Sequence, residues 1–177
     1  MNSKRILLSP PHMGGTELTY IAQAFQDNWI APSGPHIDLF ENRLVDFLDE
    51  KSQVVALNSG TAAIHLGLQL LGVQKGDVVL CQSLTFIASV NPVLYLGATP
   101  VFIGSEKETW NLCPIALEEA ILNQLNKGIQ PKAIVVVHLY GMPAKMNEII
   151  TISKKYNIPI LEDAAEALGS SYDGKPC

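Results

Sequence analysis

From about residue 54 onward, short apolar runs rich in Val and Ile alternate with longer stretches whose apolar positions recur at helical spacing. The short runs predict strands at 54–57, 78–81, 100–103, 133–138 and 159–162. The longer ones predict helices at 61–71, 87–96, 115–126 and 145–156, with Pro92 in the first turn of the second of these. Strand-helix alternation of this kind implies an α/β fold, helices covering both faces of a mostly parallel sheet in three layers. The run "AIVVVH" at 133–138 is apolar almost throughout, as a strand buried on both faces requires, and is expected near the middle of the sheet. Two further helical patterns, 17–26 and 35–49, precede the alternating unit. They flank "DNWIAPSG", where Pro and Gly punctuate a loop. Residues 1–50 therefore read as a helical arm outside the main domain, which begins at 51.

The chain has 177 residues, 47% hydrophobic and 16% charged, enough for one core of ordinary domain size and too apolar for a disordered protein. A net charge of -5 with thinly spread Lys and Arg excludes the clustered basic footprint of a nucleic-acid binder. The early apolar run is too short for a signal-peptide core and no segment reads as a membrane span, so the expected location is cytoplasmic. Cys81, Cys113 and Cys177 are far apart, and His12, His36, His65 and His138 lack ligand spacing. Neither a disulfide framework nor a metal site is expected.

Open α/β sheets bind ligands beyond the carboxyl ends of their strands, so the residues that follow each strand carry the chemistry. In "ALNSGTAAIHLGL" a turn of small residues opens a helix. The backbone N–H groups of Gly60, Thr61 and Ala62, with the Thr61 hydroxyl, suit a phosphate, although Ser59 or Thr61 would serve equally as a helix cap. No G-x-G-x-x-G or Walker A pattern follows any strand. Phe86 is placed to stack on a flat ring or to fill core. Asp163 closes an apolar strand at the same edge, flanked by Glu162 and Glu166. It suits a cationic ligand nitrogen, or it caps a short helix "AAEAL" with Glu166 reaching back as a capping box. A hydrolytic carboxylate pair is disfavoured because adjacent residues at a strand end face opposite ways. His138, ending the central strand, either polarises a ligand or has a structural role. No Ser-His-Asp or Cys-His pattern accompanies it.

A phosphate cradle, an aromatic plate and a strand-end aspartate together match the needs of pyridoxal 5'-phosphate. The motifs "NSGTAAIHLGL", "LTFIASVNPVLYLGATPVFI", "VVVHLYGMPAKM" and "ILEDAAEALGS" resemble, in order, the DegT/StrS family of nucleotide-sugar aminotransferases, which are fold-type I pyridoxal-phosphate enzymes. The resemblance runs from residue 6 to the end. "LSPPHMGGTE" and "NWIAPSGP" are most similar to the enzymes that aminate UDP-linked 4-keto-6-deoxy sugars of bacillosamine-type pathways.

What the resemblance implies is a partial large domain at 51–177 in which Gly60, Thr61 and Ala62 hold the cofactor phosphate and Phe86 stacks on the ring. Asp163 would pair with the protonated ring nitrogen. Glu166 would stand by the phenolic oxygen, where the family often has Gln, so that a carboxylate needs a proton or a compensating donor there. Asn28, Trp29, Ile30 and Ala31 would line the sugar entrance. The implied reaction transfers an amino group from glutamate to the keto sugar in a homodimer. The family's Schiff-base lysine lies about twenty residues past the aspartate, beyond Cys177. Lys175, in the apparent hairpin "YDGKPC", does not match its motif, and no catalytic residue is expected in this chain. The small C-terminal domain would also lie outside it. Two alternatives stay open: a dehydratase of the same family with histidine in place of the lysine, and a non-catalytic binding or assembly fragment with an unpaired sheet edge.

Overall fold

A computed structural model describes residues 5–7, 10–48 and 52–177. The chain divides into two compact units, Met1–Ala56 and Leu57–Cys177. In the first, α1 (Glu17–Gln26) and α2 (Pro35–Leu48) flank a turn in which Asn28 adopts a left-handed φ of 56°. The Trp29 N–H returns to the Ala24 carbonyl at 2.9 Å. The Trp29 ring lies so close to Gly34 that a Cβ there would meet its Cε3 at 3.0 Å, and Gly34 also has a φ of 144° that side chains avoid. His36 meets Tyr20 edge-on at 5.6 Å. Leu8 and Ser9 of the opening motif, and Asp49, expected to close α2, lie outside the described residues.

The second unit is built on a four-stranded parallel sheet in the order β2 (Thr99–Ile103), β1 (Val78–Gln82), β3 (Ala133–Val137), β4 (Ile160–Asp163). Every residue of β1 and β3 is buried, which explains the apolar run of β3 and of β1 up to Cys81 and confirms "AIVVV" as an interior strand. Their side chains alternate between two cores. Val78, Leu80, Ile134 and Val136 pack with Leu117 and Ile121 of α5 (Pro114–Leu125) and Met146 and Ile149 of α6 (Met146–Tyr156). Val79, Cys81, Ala133 and Val135 pack with Ile64 and Leu68 of α3 (Gly60–Leu70) and Val93 of α4 (Asn91–Tyr95). The result is three layers, and each fully buried aliphatic side chain in them contributes about 1.5–3 kcal/mol of transfer free energy.

Local signals set the helix limits. Ser59 caps α3, its Oγ accepting the Ala62 N–H at 3.2 Å. Pro114 opens α5, where a missing N–H costs nothing. α6 ends on Lys154 and Lys155 and then Asn157 in left-handed conformation.

Two expectations are corrected. Residues 54–57 form no strand: among the described residues no ladder partner pairs them, and Val55 and Leu57 are exposed. Apolar alternation makes a strand only where another strand accepts its N–H and C=O groups. The helix expected at 87–96 is two pieces, a 3-10 turn Ile87–Ser89 and then α4. Pro92 cannot donate its missing N–H, so it belongs to the first turn of the second piece rather than to the interior of one long helix. The tail is the expected hairpin, β5 (Ser171–Tyr172) against β6 (Lys175–Pro176), turning on Asp173 and Gly174, both at positive φ.

Candidate functional site

After β1 the chain crosses to β2 on one side, and β3 then pairs on the other side of β1, so the carboxyl ends of β1 and β3 border a topological switch point. A cavity of about 510 Å³ opens there, within the usual size of a small-molecule site. Its lining includes Gly60 and Thr61 from the start of α3, Phe86 and Ser89 after β1, Asp163 at the end of β4 and Glu166 after it.

Each wall has a different chemistry. At the α3 N-terminus the Gly60 and Thr61 N–H groups have no protein partner among the described residues, and a Cβ built on Gly60 would meet nothing within 4 Å. Free donors at the positive end of an eleven-residue helix are suited to receive an anion. The Ala62 N–H, by contrast, is engaged by Ser59 Oγ, so Ser59 acts as the cap and leaves the two residues ahead of Ala62 to face the cavity. Phe86 is 77% exposed, too open for a core side chain, and its ring lines the cavity.

β4 ends by sending its two carboxylates to opposite sides. Glu162, which does not line the cavity, meets His138 Nε2 through its Oε2 at 3.1 Å. His138 is fully enclosed, and its Nδ1 accepts the Ala144 N–H at 3.1 Å, so the proton of a neutral ring sits on Nε2 and is donated to Glu162. His138 is thus structural: it ties the residue before Asp163 to the loop that follows β3. Asp163 turns into the cavity. Its Oδ2 accepts the Ser89 hydroxyl at 2.6 Å and its Oδ1 the Ala165 N–H at 3.2 Å. Each oxygen keeps a further acceptor direction for a ligand.

The capping-box alternative fails. Residues 164–169 form turns and no helix, and Glu166 Oε2 accepts the Tyr140 N–H at 2.8 Å across the cavity wall. Tyr140 reaches that position with a left-handed φ of 52°, followed by Gly141 at 80°. A Cβ on Gly141 would lie 2.8 Å from the Glu166 carbonyl oxygen, so only glycine allows this close approach.

Behind these walls lies a buried amide pair that sequence reading missed. Asn111 Oδ1 accepts the Leu139 N–H at 2.9 Å and its Nδ2 donates to the Met142 carbonyl at 2.8 Å, while Gln82 Oε1 accepts the Leu112 N–H at 3.0 Å. The pair joins the end of β1 to the 139–142 loop. Ser89 was missed as well, since its partner is 74 positions away and "IASV" has no local signature. Asn28, Trp29, Ile30 and Ala31 lie on the turn between α1 and α2 of the first unit. Among the described residues no group of His, Cys, Asp and Glu is arranged to hold a metal ion, and no helix is long and apolar enough to cross a membrane.

The sequence model of the DegT/DnrJ/EryC1/StrS aminotransferase family matches residues 11–177. The chain is 53% identical over 97% of its length to EpsN of Bacillus subtilis, provisionally named a pyridoxal phosphate-dependent aminotransferase, and covers 44% of that protein. It is 39% identical over 97% of its length to the GDP-perosamine synthase of Escherichia coli O157:H7, of which it covers 45%. Among solved structures, an aminotransferase of Psychrobacter cryohalolentis superposes with a TM-score of 0.85 at 32% identity, over 95% of this chain and 41% of that one. The chain thus spans less than half the length of the relatives it matches.

Proposed function

We propose, for a chain that belongs to the DegT/DnrJ/EryC1/StrS aminotransferase family, that the cavity at the switch point is the pyridoxal-phosphate half-site of a sugar aminotransferase. The observation that carries this reading is the convergence on one cavity of a helix N-terminus with free donors, an exposed aromatic ring and an aspartate whose carboxylate faces inward. The residues fit the cofactor. Gly60 and Thr61 N–H groups hold the phosphate, with the Thr61 hydroxyl beside them, and Ala62 supports the cradle as the capped residue behind it. Phe86 would stack on the ring, and Asp163 would hold the proton on the ring nitrogen. Glu166 would be the residue beside the phenolic oxygen, and the Tyr140 N–H that it accepts supplies a donor for its carboxylate.

Pyridoxal phosphate, when bound, supplies the electron sink for amino-group transfer. The chain's own part is to bind and orient that group and to hold the ring proton. In the protein of relatives' length, the reaction is amino transfer from glutamate to a nucleotide-linked 4-keto-6-deoxy amino sugar, with Asn28, Trp29, Ile30 and Ala31 at the sugar entrance and a second copy of the chain as partner. The motifs "LSPPHMGGTE" and "NWIAPSGP" support a UDP-linked sugar; the relatives named GDP-perosamine synthase make a GDP-linked sugar the competing substrate.

Titration of the chain with pyridoxamine 5'-phosphate, which cannot couple to lysine, tests the half-site through the ligand's fluorescence. Asp163→Asn is expected to weaken binding by roughly 10–100-fold, the loss of a charge-assisted hydrogen bond worth about 1.5–3 kcal/mol. Equal affinity in the two proteins would remove Asp163 from the site.

A further inference from the structure

Asp163 is held from behind by a short chain of hydroxyls. Ser89 Oγ lies 2.6 Å from Asp163 Oδ2 and 2.9 Å from Thr85 Oγ1. Ser89 is 1% exposed, so water does not compete for these bonds. A serine hydroxyl has one proton, and an ionised carboxylate can only accept. The Ser89 proton therefore goes to Asp163, and Thr85 must donate to Ser89. The direction of the chain, Thr85 to Ser89 to Asp163, follows from that proton count.

We propose that Ser89, oriented by Thr85, is a positioning residue that fixes the plane of the Asp163 carboxylate for the ring nitrogen of the cofactor. The inference rests on the reading of Asp163 given above. A carboxylate rotates about its last torsion over a broad well, so a single contact does not set its plane. Here two donors at different oxygens do: Ser89 Oγ on Oδ2 and the Ala165 N–H on Oδ1. The Ser89 backbone is held by the 3-10 turn Ile87–Ser89, with its N–H on the Phe86 carbonyl at 3.1 Å. That turn links the plate to the anchor: the residue that presents its ring to the cavity also holds the backbone of the residue that aims the carboxylate. Thr85 and Ser89 lie four positions apart across the turn, which brings their hydroxyls together.

The test compares pyridoxamine 5'-phosphate with its deaza analogue, in which carbon replaces the ring nitrogen, and reads the ratio of the two dissociation constants. The unsubstituted chain is expected to prefer the nitrogen-bearing ligand by roughly tenfold or more, and Asp163→Asn to abolish the preference. Ser89→Ala should lower the preference by about fivefold or more while affinity for the deaza analogue stays within about twofold. Ser89→Thr, which keeps the hydroxyl, should restore it. Thr85→Val, which keeps the shape and removes the far donor, should lower it by a smaller factor, and it serves in place of Ser89→Ala if that variant melts at a markedly lower temperature. A merely structural serine would weaken both ligands alike, and that result overturns the proposal. If Asp163→Asn abolishes the preference while Ser89→Ala and Thr85→Val leave it intact, the anchor stands and the positioning role falls. If the unsubstituted chain shows no preference, the reading of Asp163 fails and takes this inference with it.

Discussion

Gly141→Ala separates two costs that are usually confounded. Gly141 has a φ of 80°, and a Cβ there would sit 2.8 Å from the backbone carbonyl oxygen of Glu166, closer than real Cβ atoms approach. Gly128 has nearly the same φ, 74°, but a Cβ there would meet nothing within 4 Å. Alanine at Gly128 therefore pays only the left-handed conformation, about 1–2 kcal/mol. At Gly141 the same cost is joined by an overlap that flexible side chains cannot relieve, since the obstacle is backbone. Overpacking of this kind adds about 1–3 kcal/mol. The difference between the two variants is then about 1–3 kcal/mol, or about 2–12 °C in melting temperature at roughly 2–4 °C per kcal/mol. Thermal and urea unfolding of both variants measure it. A functional difference accompanies it: Glu166 and Tyr140 line the cavity, so Gly141→Ala should also weaken pyridoxamine 5'-phosphate, whereas Gly128→Ala should not. Equal destabilisation by the two alanines would refute the close approach between the 139–142 loop and the turn after β4.

Three further outcomes are expected. Asn111→Ala removes a buried amide that satisfies the part-buried Leu139 N–H and Met142 carbonyl and should destabilise the chain by about 1–3 kcal/mol in urea unfolding, beyond the usual cost of a surface substitution. Burial pushes the Cys81 thiol up to about 12, so a chromogenic disulfide reagent should label Cys113 and Cys177 in the folded chain and reach Cys81 only on unfolding; three fast-reacting thiols would contradict the packing of β1. The Thr109 hydroxyl, with the Glu108 and Thr109 N–H groups and Lys145, holds the Glu106 carboxyl down at about 2 against an ordinary 4.5. Because the folded value is depressed, its contribution to stability is complete above pH 4.5 and is lost as pH falls toward 2. The melting-temperature gap between the unsubstituted chain and Glu106→Gln should close over that window, and a gap that does not change with pH would refute the assignment.

The parts of the fold legible in the sequence are those where one local cause suffices. β1 and β3 read as buried strands because both faces carry apolar residues, and the Asp173–Gly174 turn reads as a hairpin because its backbone needs two positive φ values. Residues 54–57 failed for the opposite reason: their pattern matches a strand, but a strand is a relation between segments, and no partner pairs them among the described residues. The site divides along the same line. Gly60 and Thr61 open a predicted helix, Phe86 lies in the segment after a predicted strand and Asp163 follows another, so each could be named from local position. Ser89, Asn111 and the Tyr140 N–H act through partners 74, 28 and 26 positions away, and nothing in their neighbours' identities announces the pairing.

The end of β4 shows how one strand separates structural from chemical work. Glu162 and Asp163 are adjacent, so the pleat must send them to opposite faces. One face meets His138, whose ring is clamped between Ala144 and Glu162; the other meets Ser89 and the cavity. The backbone joins the two sides, because the His138 N–H donates to the Asp163 carbonyl at 3.1 Å. Three carboxylates within five residues are therefore three different devices. Glu162 secures the strand end, Asp163 faces the cavity, and Glu166 fastens the turn to the 139–142 loop through the Tyr140 N–H. Exchanging charge for amide at each position should consequently give unlike results, with Asp163→Asn acting on ligand preference and Glu162→Gln on stability.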